Sequence, residues 1–184
     1  MRGGAAMDER GAAVNGAWGG AGGADARMPS VVRRRVDADL GACAAVLAEV
    51  HAHSGYPHHW PEEPVRWLTP DGLTAAWVAE AGGVVLGHAA LCGREVSRLY
   101  VSPGARGLGL GARLLAAVEA EAAARGVRLV LEVKTSDVSA VALYERRGWA
   151  RRGTERQEWG VSGATEEVMV HRYEAPVGGR EAGA

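Results

Sequence analysis

The stretch "SPGARGLGLGARLL", residues 102–115, crowds Gly104, Gly107, Gly109 and Gly111 in front of a run rich in Leu and Ala. Leu110, Leu114, Leu115 and Val118 recur at helical spacing and form one apolar stripe. The predicted helix ends near Arg125, with Gly126 where a left-handed C-terminal cap belongs. Backbone N–H groups at a helix N-terminus have no partner in the first turn and carry partial positive charge, and small residues leave them accessible to a phosphate. Three uses of such a turn compete: a dinucleotide-binding fingerprint, a pyrophosphate cradle of another kind, and a flexible loop that binds nothing.

Gly107-Leu108-Gly109-Leu110-Gly111-Ala112 fits G-x-G-x-x-[G/A], and Glu132 follows about 20 residues on, as a dinucleotide fingerprint requires. That fold, however, carries the fingerprint in its first strand–helix unit. Here several strands precede it. "VVRRRV" (Val31 to Val36) predicts a strand, after which Asp37 or Asp39 can cap a helix carrying Leu40, Val46, Leu47 and Val50. A Pro- and Trp-punctuated stretch holds a short helix from Glu62 to Leu68. A hairpin follows, with strands near Ala75 to Glu80 and Val84 to Leu91 about a Gly82-Gly83 turn, and then a strand from Val96 to Val101. Beyond the glycines, "VRLVLEVK" predicts a buried strand, Ser139 to Arg147 a helix closed by Gly148, and Trp149 to Trp159 and Glu167 to Tyr173 two last strands. The order β-α-α-β-β-β-α-β-α-β-β describes a mixed sheet with helices packed on it. A phosphate loop of the Walker type fails because no Lys-Ser or Lys-Thr follows the glycines.

A chain of 184 residues suffices for one domain with a real core. We expect that domain at 29–175, between a disordered Gly/Ala-rich leader at 1–28 and a disordered tail at 176–184; Met28 stands as an alternative start. Net charge is −1 and Lys134 is the single lysine, so no basic surface tracks a nucleic acid. Cys43 and Cys92 match neither a disulfide framework nor a metal spacing. No apolar run reaches the roughly 18 residues of a membrane span, and the first residues lack an apolar signal core. A cytoplasmic protein with no membrane or nucleic-acid partner is expected.

Arg106-Gly107-Leu108-Gly109-Leu110-Gly111 resembles the [QR]-x-x-G-x-[GA] signature of the GNAT superfamily of acetyl-CoA-dependent N-acetyltransferases, with "RLYVSP" before it as the fourth strand. "LEVKTSDVSAVALYERRGW", Leu131 to Trp149, is similar to that family's fifth strand and following helix. The resemblance covers residues 30 to 175 in element order and is sharp from Val96 to Trp149. It implies an α/β (α+β) fold: a mixed, mostly antiparallel sheet of six to seven strands, splayed between the fourth and fifth, with about four helices. Acetyl-CoA is the implied cosubstrate, with no metal. Its pantetheine arm would lie along backbone groups of Leu99, Tyr100 and Val101 as an added strand does, and its pyrophosphate on amides of Arg106, Gly107, Leu108, Gly109, Leu110, Gly111 and Ala112.

The resemblance also assigns chemistry. Tyr144 falls where the family's tyrosine protonates the departing thiolate, so that it is expected to act in catalysis or in direct contact with the coenzyme; a phenol, with a pKa of about 10, holds its proton at neutral pH. Packing of the same ring in the core near Trp149 is the competing role. Two carboxylates compete as base. Glu95 stands eleven residues before Arg106, where some branches of the family place a catalytic Glu, and Glu132 sits in "LEV", where the branch that acetylates protein N-termini has one. The Val101 N–H would polarise the thioester carbonyl. Asp137 departs from the pattern: the family has Asn seven residues before the tyrosine, contacting pantetheine, and an ionised Asp accepts but cannot donate.

"HAHSGYPHHW" gathers His51, His53, His58 and His59, but without the i, i+4 pair and Glu of a zinc helix. Together with Tyr56, Trp60 and Trp67, this region is expected to shape the acceptor pocket or to pack in the core. The expected function is acetyl transfer from acetyl-CoA to a primary amine, of a small molecule or a protein N-terminus, by direct attack in a ternary complex. A non-catalytic acyl-CoA-binding sensor or interaction module and a nicotinamide-dependent reductase are the alternatives. The amine's identity stays open, and so does a homodimer paired through the last strands.

Overall fold

The computed structural model describes residues 29–161 and 164–176; the expectations for the leader, and for the tail beyond 176, lie outside them. Seven strands, β1 (Ser30–Arg34), β2 (Leu73–Ala81), β3 (Val84–Cys92), β4 (Glu95–Val101), β5 (Val130–Lys134), β6 (Ala150–Val161) and β7 (Ala164–Glu174), form one sheet in the order β1-β2-β3-β4-β5-β7-β6. Every neighbouring pair is antiparallel except β4 and β5. Four helices, α1 (Leu40–Ser54), α2 (Pro64–Trp67), α3 (Leu110–Ala124) and α4 (Val138–Arg146), complete the fold. The mixed, mostly antiparallel sheet and the element order expected from sequence are both present.

The punctuation acts as the residue types predict. Gly82 and Gly83 both take positive φ in the β2–β3 turn, as the type I′ form of a two-residue hairpin requires. Gly126 closes α3 at φ 66°, with Val127 N–H reaching back to Ala122 O at 2.9 Å. The aspartates depart from expectation. Asp39 occupies the N-cap position of α1 without a side-chain cap bond. Its carboxylate instead takes two bonds from the Arg33 guanidinium, at 2.7 and 2.9 Å, and one from Val36 N–H. A forked ion pair is the stronger claim on a nearly buried carboxylate, and it holds Asp39 below the usual carboxylate range.

Two apolar clusters lie on opposite faces of the sheet. Leu110, Leu114, Leu115 and Val118 of α3 pack with Trp77, Ala79, Leu91, Leu131 and Tyr144. Cys43, Val46, Leu47 and Val50 of α1 pack with Leu68, Val78 and Tyr100. Among the described residues no helix is long and apolar enough to cross a membrane.

Candidate functional site

Strands β4 and β5 run parallel but touch at one end only. Glu95 pairs with Val130, and Val130 N–H reaches Arg94 O at 3.0 Å; no further register pair joins the two strands. Toward Val101 and Lys134 they diverge, leaving a wedge whose edges carry unpaired backbone groups, the situation in which an extended ligand can add as a strand.

A bulge decides which groups face that wedge. Cys92↔Glu95, Leu91↔Val96 and Ala90↔Ser97 share one register, whereas His88↔Tyr100 and Gly87↔Val101 share another, shifted by one residue. The extra residue on β4 falls at Arg98–Leu99, and Arg98 takes φ 52°, the one non-glycine residue with positive φ among those described. Ser102 N–H bonds to Leu86 O at 2.8 Å. Because antiparallel ladders alternate bonded and non-bonded pairs, Tyr100 turns its backbone groups to β3 and Val101 turns its own into the wedge. Tyr100 therefore departs from the expectation that all three of Leu99, Tyr100 and Val101 offer backbone groups to a ligand arm. Its ring packs in the α1 cluster, and its hydroxyl donates to Cys43 O at 2.9 Å.

The glycine loop opens at the wide end of the wedge. A short 3-10 turn, Pro103–Ala105, leads to Gly107 and Gly109 at φ 80° and 73°, Gly109 being the N-cap of α3. Arg106 N–H bonds weakly back to Pro103 O at 3.4 Å, and the next backbone N–H to find an acceptor is that of Arg113, on Gly109 O at 3.1 Å. The N–H groups from Gly107 to Ala112 thus make no backbone hydrogen bond among the described residues. Nothing lies within 4 Å of a Cβ placed on Gly104, Gly107 or Gly109, so the concavity is open. Consecutive bare amides at a helix N-terminus favour an anionic group such as a phosphate.

Tyr144 of α4 approaches on the α3 face. It is 6% exposed, with ring centroids 5.8 Å from Trp149 and 5.9 Å from Tyr173. Burial pushes its phenol pKa up, with smaller contributions from Tyr56 and Asp137. Asp137 caps α4: its Oδ1 accepts from Ala140 N–H and from the Ser139 hydroxyl, both at 3.0 Å. Capping needs only an acceptor, which an ionised Asp supplies.

Glu95 and Glu132 lie on the opposite face and line one shallow cavity of about 430 Å³ between β4, β5, β6 and β7. Glu132 is held: Gln157 Nε2 donates to it at 2.9 Å, and Arg172 stands at 3.4 Å. Glu95 has no such partner among the described residues. Its pKa is raised, first by the protein packed around its inner side and then by the Glu132 charge, while Arg98 opposes both.

The histidine-rich segment closes this face. Tyr56 meets Trp67 and Tyr100 with ring centroids 6.3 Å apart in each case, and burial drives its phenol pKa up. His58 Nδ1 lies 2.5 Å from Lys134 Nζ, while its Nε2 is 2.9 Å from a Glu166 oxygen in a geometry that makes no hydrogen bond. His51 Nδ1 is bonded to Pro57 O, and Trp60 is 41% exposed. No group of three His, Cys, Asp or Glu among the described residues is placed to hold a metal ion.

Sequence reasoning missed two features: the bulge, and the fully buried His88 behind it. The bulge had a signal. Val96 and Leu99 both belong to the α3 face yet stand three residues apart, which strict strand alternation forbids.

Comparison with known proteins agrees with this geometry. Residues 51–165 match the family model described as Acetyltransferase (GNAT) domain. An N-alpha-acetyltransferase RimI from Mycobacterium tuberculosis is 38% identical over 99 residues, 50% of this chain and 61% of that protein. An IAA acetyltransferase from Azospirillum brasilense is 40% identical over 83 residues, 41% of this chain and 54% of that one. The chain thus spans between half and two thirds of the length of these curated relatives. The structure of yncA, a putative acetyltransferase from Salmonella typhimurium with its cofactor acetyl-CoA, superposes with a TM-score of 0.62 at 21% identity, covering 79% of this chain and 92% of that one. With the family model matching more than half of the chain, and the split sheet and the glycine loop in place, the chain belongs to the GNAT acetyltransferase family.

Proposed function

We propose that this protein is an N-acetyltransferase that moves the acetyl group of acetyl-CoA onto a primary amine held in the same ternary complex. The observation that carries this is the run of unbonded amides from Gly107 to Ala112 beside a wedge into which Val101 directs its N–H. Bound acetyl-CoA would supply an activated thioester. The glycine loop would hold its pyrophosphate, and the edges of β4 and β5 its pantetheine arm, with Leu99 and Val101 contributing backbone groups.

The two faces of the sheet divide the proton transfers. On the α1 face Glu95, with Glu132 beside it, takes through bridging water the proton that the attacking amine must shed, since Glu95 stands at the paired end of β4 and Val101 at the open end. On the α3 face Tyr144 gives its proton to the sulfur as the new C–N bond forms and the C–S bond breaks. The Val101 N–H stabilises charge on the carbonyl oxygen between them. Tyr56, His58 and Trp67 border the acceptor side. The RimI relative favours an N-terminal amine as acceptor, with a small-molecule amine as the competing class.

Thermal unfolding and thiol release test this together. Acetyl-CoA and CoA should raise the unfolding midpoint by mass action, and NADH and NADPH should leave it unmoved; the opposite pattern would overturn the assignment. In amine-dependent thiol release, Tyr144→Phe should lower kcat by roughly 10²–10⁴-fold and leave coenzyme affinity nearly unchanged. An unchanged kcat would return Tyr144 to a packing role.

A further inference from the structure

His88 is fully buried in β3, and no step proposed so far uses it. Its ring stacks on Tyr100, centroids 5.4 Å apart with 25° between planes. Both ring nitrogens are engaged: Nε2 lies 3.0 Å from Arg35 Nη1, and Nδ1 lies 3.0 Å from Arg98 O. These partners fix the tautomer. A guanidinium only donates and a carbonyl only accepts, so Nε2 carries the lone pair and Nδ1 the proton. Burial and the two nearby arginines keep the ring neutral, with its pKa lowered to about 4.

The carbonyl that His88 holds belongs to the bulge residue. Arg98 is in the left-handed region, where a residue with a Cβ needs external support. Its side chain is pinned as well, with Nε donating to Trp67 O at 2.5 Å, Nη1 to Ser97 Oγ at 2.6 Å, and the guanidinium 4.5 Å from the Trp67 ring. Arg35 Nη1, shared with His88, also reaches Leu68 O at 2.6 Å. The end of α2 is thereby tied to the bulge.

The register shows what the bulge accomplishes. Continuing the pairing of Ala90↔Ser97 without an extra residue would set Val101 opposite Leu86, whose carbonyl now accepts from Ser102. Val101 N–H would then bond to β3 and be lost to the wedge.

We propose that His88 is a positioning residue: by holding the Arg98 carbonyl it locks β4 in the bulged register that aims the Val101 amide into the wedge. Its catalytic consequence rests on the function proposed above; its structural consequence does not.

The first readout is therefore amide hydrogen exchange at Val101, in the free full-length protein, for wild type, His88→Leu and His88→Gln. Wild type should exchange this amide quickly. His88→Leu should slow it by about tenfold or more as the amide pairs with β3. His88→Gln, whose amide can both donate to Arg98 O and accept from Arg35, should behave as wild type. The second readout is calorimetric affinity for acetyl-CoA and for CoA. His88→Leu should weaken both CoA and acetyl-CoA, the acetylated form more so that any preference for it is lost, and lower kcat by about tenfold or more with little change in the amine's KM. Equal Val101 exchange in wild type and His88→Leu overturns the proposal. So does a folded His88→Gln that departs from wild type, which keeps the test decisive if the Leu variant does not fold. Wild-type protein that fails to bind acetyl-CoA, with exchange behaving as stated, would overturn the transferase assignment and leave the role of His88 standing.

Discussion

Glu95 and Glu132 share a cavity but not the same surroundings. Glu132 is tied by Gln157 and Arg172, whereas Glu95 has no such tether and sits with a raised pKa. A base must be deprotonated, so in kcat/KM the acidic limb should lie above the ordinary Glu value. Glu95→Gln should abolish that limb and cost roughly 10²–10⁴-fold in rate. Glu132→Gln removes the like charge, so the Glu95 pKa should fall, the limb should move to lower pH, and most activity should remain. pH–rate profiles of the three proteins check this, and reversed behaviour would make Glu132 the base. Sequence alone placed both residues at family positions but could not rank them, because the ranking depends on Gln157 and Arg172, which reach Glu132 from β6 and β7.

The β3–β4 pair is where the site depends most closely on packing. A Cβ added at Gly87 would lie 2.8 Å from Tyr100 O, 3.1 Å from Leu114 Cδ1 and 3.2 Å from Val101 Cγ2. Since the nearest of these atoms is backbone, β4 itself must yield. Gly87→Ala should therefore destabilise the protein by about 1–3 kcal/mol and weaken acetyl-CoA binding more than a surface change of equal cost; urea denaturation with calorimetry separates the two effects. Elements such as α3 were legible because their signals are local: an apolar stripe, a glycine before it and a glycine after it. In "EVSRLYV" the signal was an exception to alternation, and its cause lies outside the strand, in His88 and Trp67. The partial pairing of β4 with β5 is likewise a property of two segments separated by a helix, and it entered the sequence argument only through family resemblance.

At the scale of the whole molecule, stability should carry the imprint of His88. Its folded pKa, about 4, lies below the unfolded value near 6.5, so the unfolded chain binds more protons between the two. Stability is then fully present above about pH 6.5 and lost as pH falls toward 4, by up to roughly 3 kcal/mol. Glu95 acts with the opposite sign at the lower end of this window, because a raised carboxyl pKa favours the folded state when protonated. Asp39, lowered by Arg33, adds its own loss only below the usual Asp range. Urea midpoints from pH 4 to 7 should fall on acidification in wild type and flatten in His88→Gln. The order of elements and the glycine loop could both be anticipated from residue pattern, since each is written in contiguous segments. The ion pair of Asp39, one of the two aspartates expected to cap α1, could not, since its Arg33 partner comes from the preceding strand. The loop from Gly107 to Ala112 offers peptide N–H groups, which every residue type except proline possesses. The identity of its donors is therefore insulated from point mutation, and what inheritance must preserve there is the path of the chain: room at the glycines, and no proline between them.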